Sequence, residues 1–163
     1  GPGSYTGLRI GAASAKGFCY GLKLPLIAVN SLDSMVEEFV NQGFELIIPL
    51  IDARRMEVYT AFFDGKSGKM ISETEAKILD ENSFSELADK KILFIGDGAK
   101  KTQEILNLPN AEFKFDIYPS AKGLIKKSIE KFNLKDFEDV AYFEPFYLKD
   151  FQGIKKADRV KKQ

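Results

Sequence analysis

Histidine and tryptophan are missing altogether from these 163 residues, and cysteine occurs once. Without histidine there is no Ser-His-Asp or Cys-His machinery, no imidazole metal ligand and no side chain that ordinarily titrates near neutrality. The lone Cys19 rules out a disulfide framework within the chain, which fits a reducing compartment. No run approaches the roughly 20 apolar residues that span a bilayer, and no signal peptide is seen, so a cytoplasmic setting without a membrane partner is expected. An excess of either charge is lacking too, because 24 basic and 24 acidic residues cancel. Only a local basic tail, Lys155-Lys156, Arg159 and Lys161-Lys162, departs from that balance, and a solvated tail is its simplest account.

What is present begins at the amino end. Gly1-Pro2-Gly3-Ser4-Tyr5-Thr6-Gly7-Leu8-Arg9-Ile10-Gly11 sets a glycine-permitted turn in front of a helix that Ser4 or Thr6 can cap. Inside that helix Gly7, Gly11 and Ala15 recur every four residues, beside an apolar stripe of Leu8, Ala12, Ala15, Phe18, Cys19 and Leu22. Interior glycine costs roughly 0.8–1 kcal/mol relative to alanine, so the spacing points to another backbone coming close. Two readings stand: tight contact with the chain's own sheet, or a surface for a partner helix.

The rest reads as α/β. Leu26-Ile27-Ala28-Val29 is expected to be a short buried strand, followed by a helix over residues 32–42. From Leu46 the period becomes that of strands, with Asp52-Ala53-Arg54-Arg55 closing a hairpin into residues 56–63 and a further extended segment over 69–79. Pro49 places the first of these strands at an edge or makes it irregular there. Ser83-Phe84-Ser85-Glu86 has the form of a capping box opening a short helix. A buried strand at 91–95, a helix from 99 to 108, a strand over 113–118 and an amphipathic helix after Pro119-Ser120, with Leu124, Ile125, Ile129 and Phe132 inward, complete the order. The aromatic stretch from Val140 to Lys149 must dock on something, and residues beyond about 151 look frayed.

Candidates for chemistry are few. Gly96-Asp97-Gly98-Ala99 lies between a strand and a helix, where backbone N–H groups can receive a phosphate or ribose, although Asp97 would repel an anion. Asp52 and Glu57 flank the hairpin and could pair around a divalent ion as in a nuclease, but Arg54 and Arg55 between them would more simply neutralise them. Ser4 and Thr6 have no base to activate them as nucleophiles.

Taken together, four segments resemble the bacterial TsaB (YeaZ) family of tRNA threonylcarbamoyladenosine biosynthesis proteins. They are the amino-terminal loop and helix from Gly1 to Gly11, Ile51-Asp52-Ala53-Arg54-Arg55-Met56-Glu57-Val58-Tyr59, Gly96-Asp97-Gly98-Ala99 and Pro145-Phe146-Tyr147-Leu148-Lys149. The resemblance implies an actin-like (RNase H-like) ASKHA fold of two lobes. Residues 1–44 would be the remainder of the first lobe, and 45–163 the second, with the terminal segment returning toward the first. It also implies a non-catalytic scaffold that binds TsaD, with TsaE in the assembled complex and tRNA reached only indirectly. No cofactor of its own is then expected, ATP and metal belonging to TsaD. Tyr5, Gly7, Leu8, Gly11, Ala12, Ala15 and Phe18 would form the interface, with TsaD or with a second copy, and Gly96, Asp97 and Gly98 a nucleotide-proximal turn. The alternative is an actin-like ATPase or glycoprotease-like peptidase active on its own. Family members begin with a β-meander carrying an Asp-Thr-Ser strand that has no counterpart here. The first lobe is therefore expected to be incomplete, with exposed apolar faces that favour self-association.

Overall fold

Ser4 starts the first helix: its Oγ accepts from the Gly7 N–H at 3.3 Å, which settles the cap on Ser4 rather than Thr6. This helix, α1 (Tyr5–Leu22), ends where Lys23 turns left-handed at φ 55°. The computed structural model describes residues 1–149, so the basic tail and the frayed end expected from residue 151 lie outside the described residues.

The body is one six-stranded mixed sheet. Its strands are β1 (Leu46–Asp52), β2 (Glu57–Thr60), β3 (Phe63–Asp64), β4 (Glu75–Ile78), β5 (Ile92–Ile95) and β6 (Ala111–Lys114), in the order β4-β2-β1-β5-β6 with β3 also on β1. The first members form an antiparallel meander, whereas β1, β5 and β6 run parallel. Period-two alternation sorts the side chains onto two faces. Leu46, Ile48, Leu50, Val58, Ile92 and Phe94 pack on one, with Phe84 between Phe62 and Phe94. Ile47, Ala61, Phe63, Leu93 and Ile95 pack on the other, beneath Leu32, Met35, Val36 and Phe39. The alternation expected over residues 56–63 is thus realised.

Several expectations need correction. Of the two alternatives for Pro49, the edge is excluded because β1 lies between β2 and β5, and the irregular strand is what forms. Lacking an N–H, Pro49 interrupts the antiparallel ladder, which pairs Leu50 with Thr60, stops, and resumes at Ile47 with Phe63. The helix expected over 32–42 is only α2 (Asp33–Val36) and one 3-10 turn (Glu37–Phe39), since Val40 is extended at ψ 140°. Residues 26–29 form no strand; Leu26 makes a single antiparallel bridge to Glu138. At the proposed capping box Phe84 takes a left-handed φ of 61° and a 3-10 turn (Ser85–Leu87) follows, while the Ser83 Oγ accepts from the Asp80 N–H. The later elements are shorter or shifted: α3 is Ala99–Gln103, and β6 begins at Ala111 and ends at Lys114.

The last helix, α4 (Ala121–Leu134), is capped by Ser120, whose Oγ accepts from the Gly123 N–H at 3.2 Å. Three of the four residues expected inward face outward: Ile125, Ile129 and Phe132 are all more than half exposed, whereas Leu124 is partly buried. The helix docks instead through Gly123, where an added Cβ would lie 1.8 Å from the Ser34 carbonyl oxygen, and through Lys122 and Lys126, which pair with Glu38 and Glu37. Close backbone approach and charge have overridden the apolar period.

One buried polar atom is orphaned among the described residues. The Thr60 Oγ1 has no hydrogen-bond partner, although Thr60 is fully buried in β2. Valine has the same branched shape without the hydroxyl, so Thr60→Val is expected to raise stability by about 1 kcal/mol, read as a higher urea midpoint at constant slope. A lower midpoint would mean that the hydroxyl is satisfied in solution.

Candidate functional site

α1 contributes no residue to the core of the described residues. None of its residues is buried, and Ile10, Phe18 and Leu22 are exposed by 63%, 69% and 64%. The contact with the chain's own sheet that glycine spacing allowed does not occur: a Cβ placed on Gly11, Gly17 or Gly21 would meet nothing within 4 Å. Gly7, Leu8, Gly11, Ala12 and Ala15 instead line a broad cleft of about 1150 Å³. Residues 26–31, the start of α4 and the segment 138–147 form its other walls. Phe18 lies outside that cleft and faces solvent, whereas Tyr5 packs at a tilt against Tyr147 with ring centroids 4.9 Å apart. The proposed interface set is therefore divided between a cleft rim, one outward ring and one ring engaged within the chain.

A second, smaller cleft of about 530 Å³ lies between the loop before α1 and the β1–β2 hairpin, lined by Ser4, Thr6, Asp52, Arg54, Asp97 and Lys149 among others. The hairpin turn is built as expected: the Asp52 Oδ1 accepts from the Arg54 N–H at 2.6 Å, and Arg54 and Arg55 are both left-handed, at φ 69° and 52°. Asp52 and Glu57 are neutralised, but not by those arginines. Lys101 reaches the Asp52 carboxylate at 2.9 Å and the carbonyl oxygens of Arg55 and Glu57 at 2.9 and 2.7 Å, while Lys149 pairs with the Glu57 carboxylate. The sequence signal missed both lysines because they come from α3 and the terminal segment. Among the described residues no group of three or more His, Cys, Asp or Glu side chains is arranged to hold a metal ion.

The glycine turn serves packing. Gly98 N–H donates to the Leu50 carbonyl at 3.0 Å, Gly96 N–H to Lys114 and Ala99 N–H to Gly96, so these three amides are engaged by backbone oxygens. The Asp97 Oδ1 accepts from the Asp52 N–H at 2.9 Å, tying the turn to the hairpin.

Burial is the largest influence on the Asp52 carboxyl and pushes its pKa up, but the Lys101 hydrogen bond, the Arg54 N–H and the Lys101 charge outweigh it, and the net shift is downward. A depressed carboxylate contributes stability that is complete above its unfolded value, near 3.9, and is lost as pH falls through the lower folded value. Lys101→Met is therefore expected to move the Asp52 titration, followed by carboxyl NMR shifts, to higher pH and to bring acid unfolding forward. An unmoved titration would show that Lys101 does not hold this carboxylate in solution.

A family model described as TsaD: tRNA N6-adenosine threonylcarbamoyltransferase matches residues 1–151. The chain belongs to this family, on its TsaB (YeaZ) branch. The tRNA threonylcarbamoyladenosine biosynthesis protein TsaB of Bacillus subtilis is 36% identical over 100 residues, 59% of this chain and 43% of that protein. The protein of the same name from Escherichia coli is 29% identical over 167 residues, 96% of this chain and 71% of that protein. The match thus spans less than half of the first relative and about seven tenths of the second. Among solved structures, YeaZ from Pseudomonas aeruginosa superposes with a TM-score of 0.71 at 25% identity, covering 91% of this chain and 71% of that one. A Pseudomonas aeruginosa protein described as similar to peptidase YEAZ gives 0.75 at 24% identity, covering 91% and 70%. The mixed sheet is therefore that of the actin-like fold shared by the TsaB branch. No helix among the described residues is long and apolar enough to cross a membrane.

Proposed function

We propose that this TsaB-branch chain is a non-catalytic subunit of the cytoplasmic machinery that forms threonylcarbamoyladenosine in tRNA, and that it acts by binding TsaD through α1. The observation that carries the reading is the state of α1: a helix without a buried residue, with Phe18 and Leu22 in solvent and a glycine face open to a Cβ. Such a surface suits a second helix packed closely across Gly7, Gly11 and Ala15, with Phe18 and Leu22 supplying buried apolar area. TsaE joins in the assembled complex, tRNA is met only through it, and ATP and metal are held by TsaD. A second copy of this chain is the competing occupant of the same face.

In this reading residues 1–44 are the first lobe and residues 45–163 the second, with α1 bordering an open cleft and α2 packed on the sheet of the second lobe. The lysine pairs on Asp52 and Glu57 support a non-catalytic role, because carboxylates engaged in this way are poorly placed to take a divalent ion. Of the second reading, an ATPase or peptidase acting alone, only the peptidase part draws on the likeness to a protein described through peptidase YEAZ. Capture of TsaD by the chain, with ATP and peptide turnover by the isolated chain assayed alongside, separates the two. Retained TsaD without turnover supports the scaffold, and turnover by the isolated chain overturns it.

A further inference from the structure

α1 must be positioned by something other than core packing, and the terminal segment touches it at several points. Lys16 Nζ donates to the carbonyl oxygens of Ala141 and Phe143, both at 3.0 Å. Further along, Tyr147 packs on Tyr5, whose ring also lies 4.5 Å from the Arg9 guanidinium carbon. The segment then crosses the smaller cleft and reaches the β1–β2 hairpin, where Lys149 pairs with Glu57. Lys101, the other lysine at this hairpin, takes the Asp52 carboxylate and touches Glu57 only through its carbonyl.

We infer that residues 145–149 are a latch: the Tyr147–Tyr5 contact grips the start of α1, the Lys149–Glu57 pair grips the sheet, and together they fix α1 on the body. The pair is only partly shielded, with side-chain exposures of 37% for Lys149 and 19% for Glu57, so its hold depends on salt. Tyr147 and Lys149 also line the smaller cleft. The inference does not depend on which partner α1 binds.

Hydrogen exchange tests it. Lys149→Gln is expected to speed exchange of α1 amides roughly fivefold, the size that a partly exposed ion pair supports, and Tyr147→Ala to speed it about tenfold. The amides of β1 and β5 should keep wild-type protection and serve as the internal control for folding. Lys149→Arg should behave as wild type, and 1 M salt should reproduce the Lys149→Gln effect in the unmodified chain without any substitution. Unchanged α1 exchange in both variants and in salt overturns the latch. So does an equal rise in β1 and β5, which would signal general loosening.

Discussion

Gly11→Leu is expected to leave the chain as stable as before, or more stable, while TsaD is no longer retained. A Cβ at Gly11 meets nothing within 4 Å, and the residue is exposed in the middle of an 18-residue helix. Replacing glycine by a good helix former at such a position stabilises by roughly 0.5–1 kcal/mol. The partner surface responds in the opposite direction. If a second helix packs across Gly7, Gly11 and Ala15, a leucine forces the backbones apart, and overpacking of a close contact costs typically 1–3 kcal/mol, or about five- to 150-fold in affinity. Melting followed by circular dichroism and capture of TsaD from the same cell give the two readouts. A stable Gly11→Leu chain that still holds TsaD removes this face from the interface. A chain that loses its own dimer but not TsaD assigns the face to self-association.

Gly96→Ala is expected to do the reverse, destabilising the body by about 3–5 kcal/mol, a large part of the margin of a domain this size. Gly96 follows β5 with φ 125°, a region closed to residues with a Cβ, and the added carbon would lie 2.2 Å from the Leu50 carbonyl oxygen and 3.0 Å from the Met35 Cε. Relief requires β1 to move, and the Leu50 carbonyl is the acceptor for the Gly98 N–H at 3.0 Å. The central strand and the turn into α3 therefore loosen together. A urea melt of Gly96→Ala beside Gly11→Ala makes the contrast, since the second change should be neutral or stabilising. Equal midpoints for the two would mean that the turn relaxes without disturbing β1.

These two glycines also show where sequence reading succeeds and where it stops. The helix after Ser4, the hairpin at Asp52, the buried strand at 92–95 and the two faces of β2 and β3 were legible because capping, turn chemistry and period-two alternation are local and act over a few residues. Local sequence places Gly11 inside a helix and Gly96 in a turn between a strand and a helix, but what each faces is not local: one faces open space and the other a carbonyl contributed by a strand 46 residues earlier, as the positions of Leu50 and Gly96 show.

The same limit explains the candidate site. Arg54 and Arg55 were the evident counter-charges for Asp52 and Glu57 because they are adjacent in the chain, but the left-handed turn carries them at its tip and leaves the carboxylates to Lys101 and Lys149. The outward face of α4 has a comparable cause. Its apolar period is genuine, but Gly123 is the residue that can lie against the Ser34 backbone, and that single close approach sets which side turns to solvent.

By itself the sequence determined the α/β character, the motif set that belongs to the TsaB branch and the absence of histidine chemistry, since each depends on residue type and short spacing. Tertiary structure alone decided that α1 lies off the sheet, that two distant lysines neutralise the hairpin carboxylates and that the terminal segment spans from helix to sheet. Those outcomes depend on which surfaces meet across long chain separations, and the energies that choose between them come from packing and charge pairing that only the folded chain brings together.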